Sequence, residues 1–540
     1  MNAAVKDGDE GRGGRGPLRA AGLISSLTFL SRVLGVVREQ VFAALLGAGL
    51  HADAFQIAFR IPNLLRDLFA EGALSAAFVP TYARALAGEG RKGANRLASR
   101  LFTLLAVALS AVVLAGMTAA PWIVDLLAPG FEQVPGKADL AVLLTRVMMP
   151  FLPLVSFAAV AMGMLNAEER YGLPALSPAM FNLVTIAWGA CLWGFGLPLD
   201  RVALGWAAGT LVGGAAQFLI QVPGLRRGGW VFRPEWAPAD PELRRMGALM
   251  APATVGLAAV QINIFVNSYF ASFEQGAVAC LSYAFRILYL PIGIFGVAVG
   301  TVATSGLARR AATGDMQGLR STLRQSLSML AFLTIPATAG LLVLAKPIVR
   351  LLYERGAFAA HGDATERTAI ALGYYSLGLV AYTSVKVLAP AFYALGASRV
   401  PLLASAAAVL TNVAVNLALF RSFGFRSIAL GTSLGAWVNA AILGFALERR
   451  VGGLRGSGAL GGAAGMLGAT GAMAAVAAES ARLLESWTGT RGIAAQLITG
   501  LVPVLLGIAV YGAAALAFRV PEASTLRAAL AGLGRRPARG

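Results

Sequence analysis

Arg32, Arg38, Asp53, Arg60, Arg66, Glu71 and Arg286 lie in or beside long apolar segments of this 540-residue chain. A charge at the middle of a bilayer costs roughly 2.5–3.5 kcal/mol for Arg, Lys or Asp on insertion scales. Such side chains survive where they face a protein interior or a wet cavity. A cavity lined mainly by arginine suits an anion. Phosphate is the best match, because the planar guanidinium fork donates paired hydrogen bonds and stays charged. Arg286 is the sharpest single residue. It sits inside Leu281-Ser282-Tyr283-Ala284-Phe285-Arg286-Ile287-Leu288-Tyr289-Leu290-Pro291, well away from either end of its apolar run, so snorkelling to headgroups is difficult.

The first apolar segment reads Ser31-Arg32-Val33-Leu34-Gly35-Val36-Val37-Arg38-Glu39. Gly35 weakens a helix there and makes it a candidate hinge that aims both arginines at a cavity. The alternative is that Arg32 and Arg38 sit near a membrane face and snorkel. In the second segment Asp53, Arg60 and Asp67 are seven apart, and Glu71 follows Asp67 by four, so all four share one helical stripe. Asn63 lies beside the stripe. Arg66 falls to its flank, where a kink at the second candidate hinge, Pro62, could swing it. The acids could also simply neutralise Arg60 and Arg66. That would still leave Arg32, Arg38 and Arg286 uncompensated, which favours an anionic guest.

The elements that position these groups are membrane helices. The chain is 57% hydrophobic and 13% charged, against roughly 25% charged in soluble domains. Apolar runs near 20 residues, the length that crosses the hydrocarbon core, recur throughout. The expected fold is an all-α polytopic membrane protein with about fourteen transmembrane helices, at 22–46, 53–83, 98–121, 140–165, 173–196, 201–222, 246–271, 276–305, 322–345, 367–395, 400–420, 428–448, 459–482 and 493–518. The net charge of +19 does not point to nucleic acid, because its distribution follows the membrane. Arg12, Arg15, Arg84, Arg91, Arg226, Arg227, Arg309, Arg310, Arg535 and Arg536 all fall in segments on one side. By the positive-inside rule that side is cytoplasmic, with both termini inside a multi-pass cytoplasmic (inner) membrane protein. Lys346, Arg350 and Arg355, expected outside, run against the rule. The first span lacks the cleavage pattern of a signal peptide.

The chain repeats itself at an offset of about 225–230 residues. Ala58-Phe59-Arg60 matches Ala284-Phe285-Arg286, Ala83-Arg84 matches Ala308-Arg309, and Asn182 matches Asn412. The repeat pairs span one with span seven. Six helices return the chain to the same face, so two six-helix lobes are expected, related by a pseudo-twofold axis along the membrane normal with a cleft between them. The expected organisation is a disordered cytoplasmic stretch at 1–20, an N-lobe at 21–225, a cytoplasmic linker at 226–245, a C-lobe at 246–450, two additional helices at 451–520 and a cytoplasmic tail at 521–540. Gly461, Gly465, Gly468 and Gly471 give span thirteen a small-residue face, suited to close packing or to a groove for a lipid tail. No HExxH, nucleotide-binding loop or acidic metal cluster is visible, so neither a metal nor a cofactor is expected.

Ser31 to Pro80 closely resembles the MurJ (MviN) lipid II flippases of the multidrug/oligosaccharidyl-lipid/polysaccharide (MOP) exporter superfamily. The matching stretches are Ser31-Arg32-Val33-Leu34-Gly35, Ala52-Asp53-Ala54-Phe55, Pro62-Asn63-Leu64-Leu65-Arg66, Phe69-Ala70-Glu71-Gly72-Ala73 and Phe78-Val79-Pro80, with a second match from Tyr283 through Arg286 to Gly296-Val297-Ala298. The resemblance implies a two-lobed transporter, not an enzyme, that alternates between inward- and outward-open forms. It implies lipid II as cargo, carried to the periplasmic leaflet for cell-wall synthesis. It places the family's cavity charges on Arg32, Arg38, Asp53, Arg66 and Arg286, makes Arg60 a usually basic position, and gives the last two helices a groove for the polyprenyl tail. Asp67 departs from relatives with arginine there. Asn267, Asn412 and Asn416 stand where some members hold sodium through carboxylates, so a sodium site of that kind is not expected. Membrane potential or an ion gradient would drive transport, and division or elongation proteins are compatible partners. The rival readings are an exporter of another anionic polyprenyl-linked oligosaccharide, a multidrug exporter of the same superfamily, and a polyprenyl-phosphate membrane enzyme.

Overall fold

The computed structural model describes residues 15–66, 73–453 and 459–534. All regular structure among them is helical. Contacts group the chain into two compact units, Met1–Gln261 and Ile262–Gly540. The first contains α1 (Arg15–Leu46), α2 (Leu50–Arg66), α3 (Ala73–Gly88), α4 (Gly90–Leu127), α5 (Lys137–Met148), α6 (Phe151–Ala167), α7 (Gly172–Gly194), α8 (Leu199–Leu219) and α9 (Val222–Arg227). The division falls inside α10 (Pro241–Ser272). The second unit continues with α11 (Ala277–Pro291), α12 (Val297–Ala312), α13 (Met316–Val343), α14 (Ala345–Tyr353), α15 (Gly356–Ala360), α16 (Ala364–Ser376) and α17 (Leu379–Ala394). It closes with α18 (Arg399–Phe423), α19 (Phe425–Val451), α20 (Ala459–Thr488), α21 (Ile493–Ala517) and α22 (Pro521–Gly534).

Nine helical stretches among the described residues are long and apolar enough to cross a membrane, and ten if α16 and α17, bent by 43°, act as one. Each of the fourteen expected ranges overlaps helix. α1 begins at Arg15, within the stretch expected to be disordered. The stretch after α9 packs onto α4: Arg100 pairs with Glu235 at 2.5 Å and Asp240 at 2.6 Å, and the Trp230 ring lies 5.2 Å from that of Phe102.

Close packing in the second unit depends on small residues where α18 meets α19. A Cβ added at Gly435 would come 2.7 Å from the backbone oxygen of Ala408, which cannot rotate away. We predict that Gly435→Ala destabilises the protein by about 1–3 kcal/mol, the usual cost of overpacking. An unchanged thermal midpoint for the purified variant would show that the two helices have room to part.

The basic residues that run against the charge rule are each engaged locally. Lys346 pairs with Glu366 at 2.6 Å, Arg350 with Glu485 at 2.7 Å, and Arg355 donates to the Leu352 carbonyl at 3.4 Å. The Arg350 pair also ties α14 to α20. At the other end of the α20–α21 hairpin the Tyr511 hydroxyl donates to the Phe332 carbonyl at 2.7 Å, fixing α21 to α13. Gly465 and Gly468 face Phe518, so part of the small-residue stripe is spent on packing, while Gly471 faces open space.

Candidate anion-binding site

In the first unit, α1 runs unbroken through Gly35. The Asn182 amide of α7 donates to the Ser31 carbonyl at 3.0 Å, and a Cβ at Gly35 would lie 3.6 Å from that amide nitrogen. Gly35 therefore acts here as the place where α7 approaches α1. Arg32 is exposed on α1, and Arg38 is half-buried. The Arg38 guanidinium lies 5.1 Å from the Phe181 ring centroid and 3.8 Å from the Glu39 carboxylate. Rings of Phe55, Phe59, Phe151 and Phe181 follow one another at 5.9, 5.5 and 5.8 Å. This aromatic chain fixes α2 against α6 and α7, and it places Phe59, the neighbour of Arg60, on the same assembly that carries Arg38.

The second helix separates its charges by environment. Arg60, Asn63 and Arg66 are half-buried, and Pro62 is buried within the helix. Proline lacks the N–H that would bond four residues back, so the turn before Asn63 and Arg66 is locally weakened. Asp53 differs from the expectation of a residue that meets cargo. It is fully buried, and its carboxylate accepts from the Lys137 ammonium at 2.7 Å. Lys137 is fully buried too and lies 4.2 Å from the Phe131 ring centroid. Two opposite charges without water stabilise one another, and removing one strands the other. Asp53 thus positions the start of α2 against α5. Glu71, like Asp67, lies outside the described residues.

Lys137 was missed because it precedes the apolar run expected to form span four. The repeat offered a signal. Lys137 and Arg367 are 230 positions apart, within the repeat offset. Arg367 pairs with Glu274 at 2.5 Å and lies 5.0 Å from the Phe425 ring. Each unit therefore joins a cation of its fourth repeat helix to a carboxylate near its first helix–helix turn, with an aromatic ring beneath.

In the second unit Arg286 is exposed on α11. Its neighbours are firmly held: Phe285 packs on Tyr375 at 5.3 Å and Tyr283 on Tyr353 at 4.8 Å between ring centroids. Beyond Pro291, residues Ile292–Gly296 form a π-helical turn before α12. Such turns arise where a helix absorbs an interruption and occur often at functional sites.

Asn412, the repeat mate of Asn182, also reaches to the first helix of its unit. Its amide donates to Asn263 at 2.5 Å and Asn267 at 2.7 Å. Asn416 donates to Asn412 at 3.0 Å, and Asn267 donates to Thr432 at 3.1 Å. These side chains satisfy one another across α10, α18 and α19. Among the described residues no group of three His, Cys, Asp or Glu could hold a metal ion. The neutral amide set does not match a sodium site built on carboxylates.

The family model described as lipid II flippase MurJ matches residues 42–502. A relative in Vibrio cholerae, described as a probable lipid II flippase MurJ, is 36% identical over 436 residues, covering 79% of this chain and 82% of the relative. The lipid II flippase MurJ of Burkholderia cenocepacia is 34% identical over 437 residues, covering 80% of this chain and 84% of the relative. A solved lipid II flippase MurJ in an inward closed conformation superposes with a TM-score of 0.72 at 25% identity, covering 93% of this chain and 99% of that one. An inward-facing MATE-family transporter of the MOP superfamily shares the fold, with a TM-score of 0.66 at 16% identity over 80% of this chain and 98% of that one. With a match that covers most of the chain and extends into both units, the chain belongs to the MurJ family of lipid II flippases.

Proposed function

We propose that the chain moves lipid II from the cytoplasmic to the periplasmic leaflet by alternating access. The observation that carries this reading is the family match across residues 42–502. The chemistry of the site supports it. Arg32, Arg38 and Arg286 are the ligands of the cargo's pyrophosphate, each able to donate charge-assisted hydrogen bonds. Arg60, Asn63, Arg66 and Glu71 order the entrance and contact sugar or peptide. Asp53 acts through Lys137 and does not touch the cargo. The polyprenyl tail stays in lipid against α20 and α21.

The lobes rock about the bound headgroup, with Pro62 and the turn after Pro291 as the points where helices yield. The fourteen ranges cross the membrane with both termini cytoplasmic. The ion pairs at Lys346 and Arg350 support that orientation by neutralising the basic residues on the outer side. The drive is the membrane potential, an ion gradient or consumption of lipid II outside, with no step through sodium. The test is genetic. This chain, expressed as the sole flippase in a flippase-depleted cell, should restore growth. Death of cells in which it is correctly inserted would reject lipid II as cargo and favour another anionic polyprenyl-linked oligosaccharide.

A further inference from the structure

Away from the arginines assigned to the cargo, the first unit carries a basic residue on a largely apolar surface. Arg146 lies on α5, exposed beside Leu143, and its Nε donates to the Met117 carbonyl of α4 at 3.2 Å. The sequence explains why that carbonyl accepts. Pro121 stands four residues on, inside α4, and has no N–H to offer it. The Arg146 Nε takes the place of the missing donor. The nearby Thr118 hydroxyl does not, because it turns back on the Leu114 and Ala115 carbonyls at 3.1 and 2.9 Å. Repair of the helix uses one nitrogen of the guanidinium. The two terminal nitrogens have no hydrogen-bond or ion-pair partner among the described residues.

The same bond fixes the depth of the charge. The Nε stands in for the Pro121 N–H, about 1.5 Å of helix rise from Trp122. Trp122 is 76% exposed, and tryptophan is enriched at the headgroup level of a membrane face. Two carboxylates lie further towards that face. Asp125 follows Pro121 by four residues on α4, and Asp139 precedes Arg146 by seven on α5, so each shares a helix face with one side of the contact. Helix rise places Asp125 about 6 Å beyond Pro121 and Asp139 about 10 Å beyond Arg146. Both are exposed, and neither has an ion-pair partner among the described residues.

A cation at headgroup depth with anions outside it complements a zwitterionic phospholipid, whose phosphate is on the glycerol side and whose ammonium is on the water side. We propose that Arg146, Asp125 and Asp139 form a headgroup site on the α4–α5 surface for a phospholipid with a primary ammonium. The terminal nitrogens of Arg146 donate to phosphate oxygens as a fork, and the ammonium donates to the carboxylates. The site is independent of the cargo. Only its assignment to the outer leaflet rests on the orientation proposed above.

Three lipids of matched acyl chains test this on the full-length protein in detergent, with bound lipid counted by mass spectrometry of the intact complex. They are phosphatidylethanolamine, phosphatidylcholine, whose ammonium has no N–H, and phosphatidylglycerol, which has no cation. The unaltered chain should bind phosphatidylethanolamine most tightly. Arg146→Gln should weaken that binding roughly tenfold, the share of one charge-assisted hydrogen bond. Arg146→Lys keeps the charge but not the fork and should fall between the two. Asp125→Asn/Asp139→Asn should erase the preference over phosphatidylglycerol at an unchanged thermal midpoint. Neither carboxylate takes part in the helix repair, so this variant decides the matter even if Arg146→Gln does not fold. Equal binding of the three lipids by the unaltered chain, or a preference that survives the double Asn variant, overturns the site. So does unaltered phosphatidylethanolamine affinity in a folded Arg146→Gln protein. No lipid II enters these measurements, so their failure leaves the cargo assignment standing.

Discussion

Lys137→Met should cost about 3–5 kcal/mol and remove most of the folded protein from the membrane, because it takes the ammonium away from a fully buried Asp53 carboxylate. Asp53→Asn should do comparable damage to Lys137. The double variant Asp53→Asn/Lys137→Met removes both charges together, and such replacements are often neutral or stabilising. Its yield and thermal midpoint should return close to those of the unaltered chain. Its transport should return as well, since the pair serves to seat α2 on α5. The fully buried 2.7 Å contact is the basis for this expectation. A double variant that folds normally but does not transport would mean that Asp53 meets the cargo, and the assignment to a positioning role would fail.

Arg286→Ala should have the opposite profile. The residue is exposed, and the rings beside it hold α11 independently of the guanidinium. Insertion and thermal midpoint should therefore change little. Transport should fall by roughly 150-fold or more, as expected for loss of two charge-assisted hydrogen bonds at about 1.5–3 kcal/mol each. Lysine at this position keeps the charge but not the fork, so Arg286→Lys should fall between the two. Normal growth of a flippase-depleted cell that carries only Arg286→Ala would remove the residue from the transport cycle.

The membrane class and the internal duplication were legible because both follow from spacing. Apolar runs of spanning length report helices directly. The repeat reappears as a shared contact, with Asn182 and Asn412 each reaching to the first helix of its own unit. The arginines were legible for a simple reason: charge is rare in apolar segments, and each stands out. What spacing conceals is pairing. Nothing near Asp53 in the chain indicates that its partner lies 84 positions away. The stripe shared by Asp53 and Arg60 suggested one environment, yet the structure buries the first and half-exposes the second. Periodicity assigns a helix face. It does not say how deeply each turn of that face is covered by a neighbouring helix. Gly35 shows a related limit. A glycine in mid-helix reads equally as a bend or as a site of close approach, and only the position of Asn182 separates the two.

The central claim is that this chain carries lipid II across the membrane. It is tested most directly by exposure of lipid II to an external probe in flippase-depleted cells that express the chain. Exposure should rise to the level seen with a resident flippase and stay at the depleted level with Arg286→Ala. Exposure that remains at the depleted level with the correctly inserted, unaltered chain would contradict the account.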